Sequence, residues 1–182
     1  YYYCIGMGID YNTGESLGYS ITNDDIMNMA TNFGLAEKTG IEIGEQIANI
    51  SSEETKLKSM KQSLYSYIYT NADTYFLGDI VQNSQKLKKN IMTITSWAED
   101  DLTIDEIVSK LKDDTDVIPS TAASLAQTIK YSYFQYAKWT EGDTLNLSIG
   151  QGTNAYTPVQ MARYVAGLGN SGTVNYLSLI KV

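Results

Sequence analysis

The residue types that most often perform chemistry in proteins are scarce in this sequence. Its 182 residues include no histidine and one cysteine, Cys4. Without imidazole, the chain cannot supply a Ser-His-Asp or Cys-His nucleophile system, nor a zinc site with histidine ligands. A single cysteine also excludes a disulfide within the chain. We therefore expect Cys4 to pack as a small apolar side chain and to bind a metal only with ligands from outside the chain.

Two serine-lysine pairs have the spacing of a serine nucleophile and the lysine that activates it. Ser109 precedes Lys112 and Ser178 precedes Lys181, so in a helix each lysine would lie about one turn from its serine. Ser109 points away from the apolar face of its predicted helix, so we expect it in solvent. Ser178 and Lys181 fall in a predicted strand, where this offset places them on opposite faces. Neither pair is predicted to be catalytic.

A glycine-rich stretch has part of a nucleotide-binding pattern. Gly150 and Gly152 begin a G-x-G-x-x-A sequence directly after a predicted strand at 145–149. In a dinucleotide site the next helix begins inside the glycine run, so that its amino terminus faces the pyrophosphate. Here the helix start is marked later, at Thr157, and no carboxylate follows Asp143 to hold a ribose. We predict neither a nucleotide nor any other cofactor.

Composition excludes two further classes of partner for this chain. The formal net charge is -8 and Arg163 is the only arginine, whereas nucleic-acid binding needs clustered basic residues. No apolar run approaches the roughly 20 residues that span a bilayer, so any membrane anchor is expected outside the chain. A hydrophobic content of 43% is enough for one core, or for one core and a subdomain.

Local signals predict a largely helical order of elements with two strands. A helix begins at Thr22 or Asn23 and ends near Gly34, and another begins at Thr157 with Pro158 in its first turn. The stretch of about ninety residues that begins at Ser51 contains no glycine except Gly78 and no proline except Pro119, and it is predicted to be a helical block. The expected helices of this block are 53–69, 73–97, 103–112 and 120–136, and the expected strands of the chain are 145–149 and 173–182.

Two longer segments of the sequence resemble a known family. They read NFGLAEKTGIEIGE at 32–45 and WTEGDTLNLSIGQGTNAYTPVQMARYVAGLGNSGTV at 139–174. In this order they resemble the transpeptidase domain of class B penicillin-binding proteins. Members of that family carry Phe-Gly, Lys-Thr-Gly-Ile and a glutamate, then a tryptophan, Gly-Asp-Thr and Ile-Gly-Gln-Gly before Thr-Pro and a helix. The resemblance covers about 21–45 and 139–181.

The resemblance implies an α/β (α+β) fold in which helices pack on a sheet. Segments 1–45 and 139–182 would belong to the transpeptidase domain, and 46–138 would be a helical insertion. The family order is S-x-x-K, then S-x-N, then the segments seen here, then the catalytic K-T-G. The chain would therefore lie between the second and third motifs, with both ends cutting through structure. No catalytic residue is expected within it, and Lys38-Thr39-Gly40 is expected to be a connection between elements.

The resemblance also implies a function for the parent protein. It would be a serine acyltransferase that cross-links peptidoglycan stem peptides, is trapped by β-lactams, and acts at the bacterial cell envelope, outside the plasma membrane. Gly150, Gln151 and Gly152 would border its active-site cleft, and Gln151 would contact the stem peptide or the β-lactam. Cell-wall synthesis proteins could dock on the insertion. The alternative is a non-catalytic, transpeptidase-like scaffold of the cell-wall machinery.

Overall fold

A computed structural model describes residues 2–47 and 50–180 of the chain. Every regular element in this part is helical. The α-helices are α1 Tyr2–Met7, α2 Asn23–Asn32, α3 Glu53–Thr70, α4 Ala72–Tyr75, α5 Gly78–Gln82, α6 Ser84–Ser96, α7 Ile104–Asp114, α8 Ala122–Thr128, α9 Glu141–Ser148 and α10 Pro158–Gly169. A 3₁₀ turn, Trp97–Glu99, follows α6. Helix α8 continues into a π-helical turn, Ile129–Tyr133, and a 3₁₀ turn, Phe134–Tyr136.

The chain divides into two compact units. Unit 1 comprises Tyr1–Thr55 and Trp139–Val182, and unit 2 comprises Lys56–Lys138. This division does not test whether 46–138 was inserted into an older domain, so the predicted insertion stays a prediction.

Unit 2 is organised around one apolar core. Its helices are amphipathic, so side chains at helical spacing point to a common interior. Helix α3 contributes Leu64 and Ile68, which have no exposed surface. The other fully enclosed side chains of this core come mainly from α6, α7 and α8, and they are Ile91, Ile94, Ile107, Leu111, Ala122, Leu125, Ala126 and Ile129. Burial of this apolar surface is the main stabilising contribution in unit 2.

Unit 1 has a much smaller apolar core and longer irregular segments. Its buried apolar cluster consists of Ala30, Leu35 and Ile50, with Tyr156 and Tyr164 among the side chains packed around it. Helix α9 packs against α1 and α2. The backbone polar groups of the irregular segments need hydrogen-bond partners outside helices, and side chains supply many of these partners.

The predicted helices-on-sheet architecture is wrong for the part of the chain that the structure describes. No sheet forms there, and the strand-like pairings are isolated bridges such as Ile9 with Ser16 and Phe76 with Val117. The predicted strand at 173–182 is irregular as far as residue 180, and 181–182 lie outside the described residues. The 173–180 segment makes a backbone hydrogen bond to a distant segment, from the Leu177 amide to the Thr39 carbonyl at 2.9 Å, but no ladder of such bonds extends it into a sheet.

The predicted strand at 145–149 is instead the second half of α9. A capping box begins this helix: the Thr140 side chain accepts a hydrogen bond from the Asp143 amide, and the Asp143 carboxylate accepts one from the Thr140 amide. Gly150 ends it with a φ of +78°, a conformation that favours glycine. The Gln151 amide then donates to the Asn146 carbonyl at 2.8 Å, and the Gly150 amide to the Leu147 carbonyl at 2.9 Å.

Helix α10 has an unusual distribution of polar and apolar side chains. Its buried residues include Gln160 and Arg163, which are 1% and 3% exposed. Met161, Val165 and Leu168 lie three or four residues apart on one face and are all exposed. The helix therefore presents its polar residues to the unit and an apolar stripe to solvent.

The predicted helix starts agree with the structure where a capping box marks them. Thr22, Thr103 and Thr157 cap α2, α7 and α10, each with reciprocal bonds to the third helical residue. The long helices predicted at 73–97 and 120–136 are wrong in their continuity. The first is divided into α4, α5 and α6, and the second passes through the π and 3₁₀ turns after α8.

Candidate functional site

The predicted substrate-binding residues form the turn after α9. Gly150, Gln151 and Gly152 are all exposed, and Gly152 has a φ of +95°. The Gln151 amide N–H belongs to the helix cap, and within the described residues no hydrogen bond is recorded for its side-chain amide. This side chain is therefore placed where it could donate to and accept from a peptide at the same time. Its role in binding stays a prediction.

The glycine turn is tied to the segment before α3. The Ser51 amide donates to the Asn154 side-chain oxygen at 2.8 Å, and the Ser51 and Thr153 hydroxyls lie 2.8 Å apart. Ser51 is 3% exposed, so these bonds are protected from water. Side chains from two distant parts of the sequence therefore fix the position of the turn that carries Gln151.

Lys38-Thr39-Gly40 forms a turn closed by a carboxylate. Thr39 is fully buried, and its hydroxyl and amide both donate to Glu45. The Gly40 amide donates to the second carboxylate oxygen of Glu45 at 3.2 Å. The Thr39 hydroxyl, aided by backbone amides and by Lys38, lowers the pKa of Glu45 below its usual value. A Cβ on Gly40 would lie 2.7 Å from the Tyr176 ring, so glycine is required there.

Arg163 joins three segments of unit 1 at the end of this turn. Its Nε donates to the Asn175 carbonyl at 2.8 Å, Nη1 to the Lys38 carbonyl at 3.2 Å, and Nη2 to the Glu37 carboxylate at 2.9 Å. The guanidinium also lies 5.4 Å from the centre of the Tyr176 ring. Arg163 thus connects Glu37 and Lys38, at the start of the K-T-G turn, to Asn175 in the segment after α10.

Gln160, one turn before Arg163, makes a second connection. Its Nε2 donates to the carbonyls of Leu35, at 3.2 Å, and Glu37, at 3.0 Å, while Oε1 accepts from Thr157. We call Gln160 and Arg163 the polar anchor of α10. The sequence prediction treated Gln160 only as a capping residue and gave Arg163 no structural role. One feature of the sequence could have indicated this role. Arg163 is the only arginine of the chain, and it lies one helical turn from Gln160 in a helix rich in apolar residues.

The structure describes one of the two serine-lysine pairs completely and does not assemble it. Ser109 and Lys112 are both exposed on α7, and no hydrogen bond joins them in the described residues. The Ser178 hydroxyl donates to the Glu42 carboxylate, whose pKa is lowered chiefly by this bond. Lys181 lies outside the described residues, so the prediction that it faces away from Ser178 is not tested.

Cys4 is half-buried in α1. Among residues 2–47 and 50–180, no three histidine, cysteine, aspartate or glutamate side chains come close enough to hold one metal ion. In the same residues, none of the helices has the length and apolarity to cross a membrane.

Unit 2 contains a cluster of three tyrosines, Tyr67, Tyr75 and Tyr133. The Tyr67 and Tyr75 hydroxyls lie 2.7 Å apart, and the Tyr67 and Tyr133 rings are 5.7 Å apart. Burial, together with the hydrogen bond to Tyr67, raises the pKa of Tyr75 to about 12. Burial raises the pKa of Tyr133 as well. Tyr75 belongs to the buried core of unit 2, and Tyr67 and Tyr133 pack against that core, so we interpret the cluster as a structural feature.

The chain was compared with models of protein families and with curated proteins. No family model matches it, and no curated protein matches it either.

Proposed function

We propose that this chain is part of a peptidoglycan D,D-transpeptidase whose catalytic motifs lie outside it. In the chemistry that the resemblance implies, a serine hydroxyl attacks the penultimate D-alanine carbonyl of a stem peptide and expels the terminal D-alanine. An amine of a neighbouring stem peptide then attacks the acyl-enzyme, forms the cross-link and releases the serine. A β-lactam acylates the same serine.

The observation that carries this proposal is that the two family-like segments contact each other. Gln160 and Leu35 are 125 positions apart in sequence, yet the polar anchor binds the backbone carbonyls of Leu35, Glu37 and Lys38, around the start of the K-T-G turn. Glu45, the last residue of the first segment, closes that turn. Segments that act as one site are expected to be held together in this way.

Within this proposal, Gln151 contacts the stem peptide. Its position is fixed on both sides, by the cap of α9 and by the bonds from Ser51 to the following residues. A rigid backbone below an exposed amide lowers the entropy lost when a peptide binds. No residue of this chain is proposed to take part in the acyl transfer itself.

Labelling with a fluorescent penicillin tests the proposal. The 182-residue chain and the complete gene product that contains it are treated in parallel, and their intact masses are measured. We expect a penicilloyl adduct on the complete product only. An adduct on the 182-residue chain itself would overturn the proposal that the catalytic serine lies outside it. An absence of label on both would favour the non-catalytic scaffold.

The role of Gln151 needs a separate experiment on the complete product. Gln151→Ala should lower the second-order rate of acylation by the fluorescent penicillin about tenfold, as expected for a lost hydrogen bond of about 1.4 kcal/mol. Gln127→Ala, which removes an exposed glutamine from α8, is the matched control and should leave the rate unchanged. Equal rates for both variants would remove Gln151 from the substrate site.

A further inference from the structure

A cleft of about 590 Å³ lies in unit 1, away from the glycine turn. Its volume falls in the range of roughly 300–1,000 Å³ that is typical of ligand sites. It is formed where the end of α1, the start of α2 and the start of α9 meet. The lining residues are Gly6, Met7, Ser20, Ile21, Thr22, Asn23, Asp24, Glu53, Trp139, Glu141, Thr144 and Leu145.

One part of this cleft is apolar and fixed in position. Met7 is half-exposed, and Ile21, Leu145 and the Trp139 ring lie beside it in the lining. The indole Nε1 of Trp139 donates to the Thr144 hydroxyl at 2.8 Å, which orients the ring. An oriented aromatic ring beside aliphatic side chains offers apolar surface that a ligand can cover at little entropic cost.

All the charged side chains of the lining are acidic. They are Asp24, Glu53 and Glu141, and none of them forms an ion pair with the residues that the structure describes. Neighbouring Asp25, in contrast, is used by the capping box of α2. The side-chain oxygen of Asn23, another lining residue, is buried without a hydrogen-bond partner in the described part of the chain. The three carboxylates lie in the first turns of α2, α3 and α9, where the helix amino termini offset part of their charge, and the formal charge of the lining is negative.

The carboxylates are too far apart to serve one metal ion. Within the described residues, no three acidic side chains converge on a common point. A ligand that uses them must instead carry its positive charge along its length, with apolar groups for the Trp139 side of the cleft. A short peptide with alternating basic and apolar side chains has this distribution, whereas a compact cation does not.

We propose that this cleft binds a lysine-bearing or arginine-bearing segment of a partner polypeptide. The basic side chains pair with Asp24, Glu53 and Glu141, and an apolar side chain packs on Met7 and the Trp139 ring. The proposal is independent of the transpeptidase function, because no residue of the glycine turn or the polar anchor lines the cleft.

Binding of a defined peptide tests this proposal. The probe is fluorescein-labelled Lys-Leu-Lys-Leu-Lys, titrated with the 182-residue chain at 150 mM salt and followed by fluorescence anisotropy. We expect saturable binding, and no binding of the Glu-Leu-Glu-Leu-Glu peptide. Absence of saturation at millimolar chain would overturn the proposal. So would displacement of the peptide by an equal concentration of free lysine amide, because the ligand would then be a small amine.

A matched pair of variants separates the cleft from the general negative charge of the chain. Asp24→Asn with Glu141→Gln should weaken binding of the basic peptide at least tenfold. Asp79→Asn with Asp105→Asn removes the same charge from the first turns of α5 and α7 and should change binding less than twofold. Equal losses would show that attraction to a chain of net charge -8 is enough, and the cleft would not be the site.

The two tryptophans supply a readout that does not depend on affinity. Trp139 lines the cleft, whereas Trp97 is buried in the core of unit 2. In a ¹⁵N correlation spectrum, the peptide should shift the Trp139 indole signal and leave the Trp97 signal in place. Shifts confined to Trp97 would overturn the proposal even if the peptide binds.

Discussion

The two units of this chain are held together in different ways. Unit 2 encloses an apolar core shared by α3, α6, α7 and α8, whereas the described part of unit 1 buries few apolar side chains and relies on polar ones. In unit 1, Arg163, Gln160 and Glu45 bind backbone groups of irregular segments directly. An apolar core keeps most of its stabilising contacts when a residue at its edge is substituted. A hydrogen bond made by a single side chain is lost completely when that side chain is removed. We therefore expect unit 2 to be destabilised most by cavities in its apolar core, and unit 1 by the loss of single polar side chains.

One measurement can follow both units at once. Trp97 belongs to unit 2 and Trp139 to unit 1, so 5-fluorotryptophan gives one ¹⁹F signal for each unit. The urea dependence of the two signals reports the unfolding of each unit without a further substitution. We expect the Trp139 signal of the unaltered chain to change at the lower urea concentration, because less apolar surface is buried in unit 1.

The largest effect is expected from a cavity in the core of unit 2. Leu111 has no exposed surface, so Leu111→Ala should lower the free energy of unfolding of unit 2 by about 2–5 kcal/mol. Only the Trp97 transition should move to lower urea. The control is Leu77→Ala, since Leu77 is 61% exposed and its loss should cost less than about 0.5 kcal/mol. Equal movement of both ¹⁹F transitions would mean that the units unfold as one.

The next effect concerns the polar anchor in unit 1. Arg163→Met should lower the free energy of unfolding of unit 1 by about 2–4 kcal/mol, because the carbonyls of Lys38 and Asn175 lose charged donors. Arg163→Lys should not restore stability, since an ammonium lacks the planar fork of a guanidinium. Hydrogen exchange around 35–40 and 173–177 should rise in both variants.

The control for this experiment removes a neighbouring positive charge. Lys38 is exposed and offers the anchor only its backbone carbonyl, so Lys38→Met should leave the Trp139 transition within about 0.5 kcal/mol of its position. A loss as large as that of Arg163→Met would attribute the effect to net charge and not to the directed contacts.

Smaller losses of stability, equal in the two units, are expected when a capping box is removed from a helix in each unit. Thr140 in unit 1 and Thr103 in unit 2 cap α9 and α7 with the same reciprocal bonds. Thr140→Ala and Thr103→Ala should each cost about 1 kcal/mol, each in its own ¹⁹F transition. A much larger loss for Thr140→Ala would mean that the helices of unit 1, and not only its loops, depend on polar contacts.

The last effect, confined to strongly alkaline solution, is a dependence of the stability of unit 2 on pH. Tyr75 titrates near 12 in the folded chain and near 10 when unfolded, so the unfolded state loses its proton first. The contribution of Tyr75 to stability is complete below pH 10 and is lost as the pH rises to about 12. The Trp97 transition should follow this change, and Tyr75→Phe should flatten it. An unchanged slope in Tyr75→Phe would assign the effect to other groups.

Local signals in the sequence predicted more of this structure than long-range ones. The helices α2, α7 and α10 begin where their capping threonines predict, because a capping box involves four consecutive residues. The strand prediction at 145–149 was wrong because Leu145, Leu147 and Ile149 alternate with polar residues. The same segment follows a capping box at Thr140 and precedes the helix-ending Gly150, and these signals outweigh the alternation.

The polar anchor shows why part of the candidate site escaped prediction. Arg163 and Gln160 bind mostly backbone carbonyls, and a carbonyl is present at every position of a sequence. No pattern of residue types therefore marks their partners. Gln151 was selected from a family resemblance, and the structure places it on a fixed turn without testing its role. The predicted sheet was likewise inferred from the resemblance and from alternation, and the described residues contain none.

The apolar stripe on α10 has a consequence for handling the protein. Met161, Val165 and Leu168 face solvent, so mutual repulsion at a net charge of -8 is what opposes precipitation at neutral pH. As the carboxylates are protonated this repulsion weakens, and sulfate salts add to the tendency to come out of solution. Purification by hydrophobic-interaction chromatography should therefore retain the chain strongly, and Val165→Gln should shorten its retention.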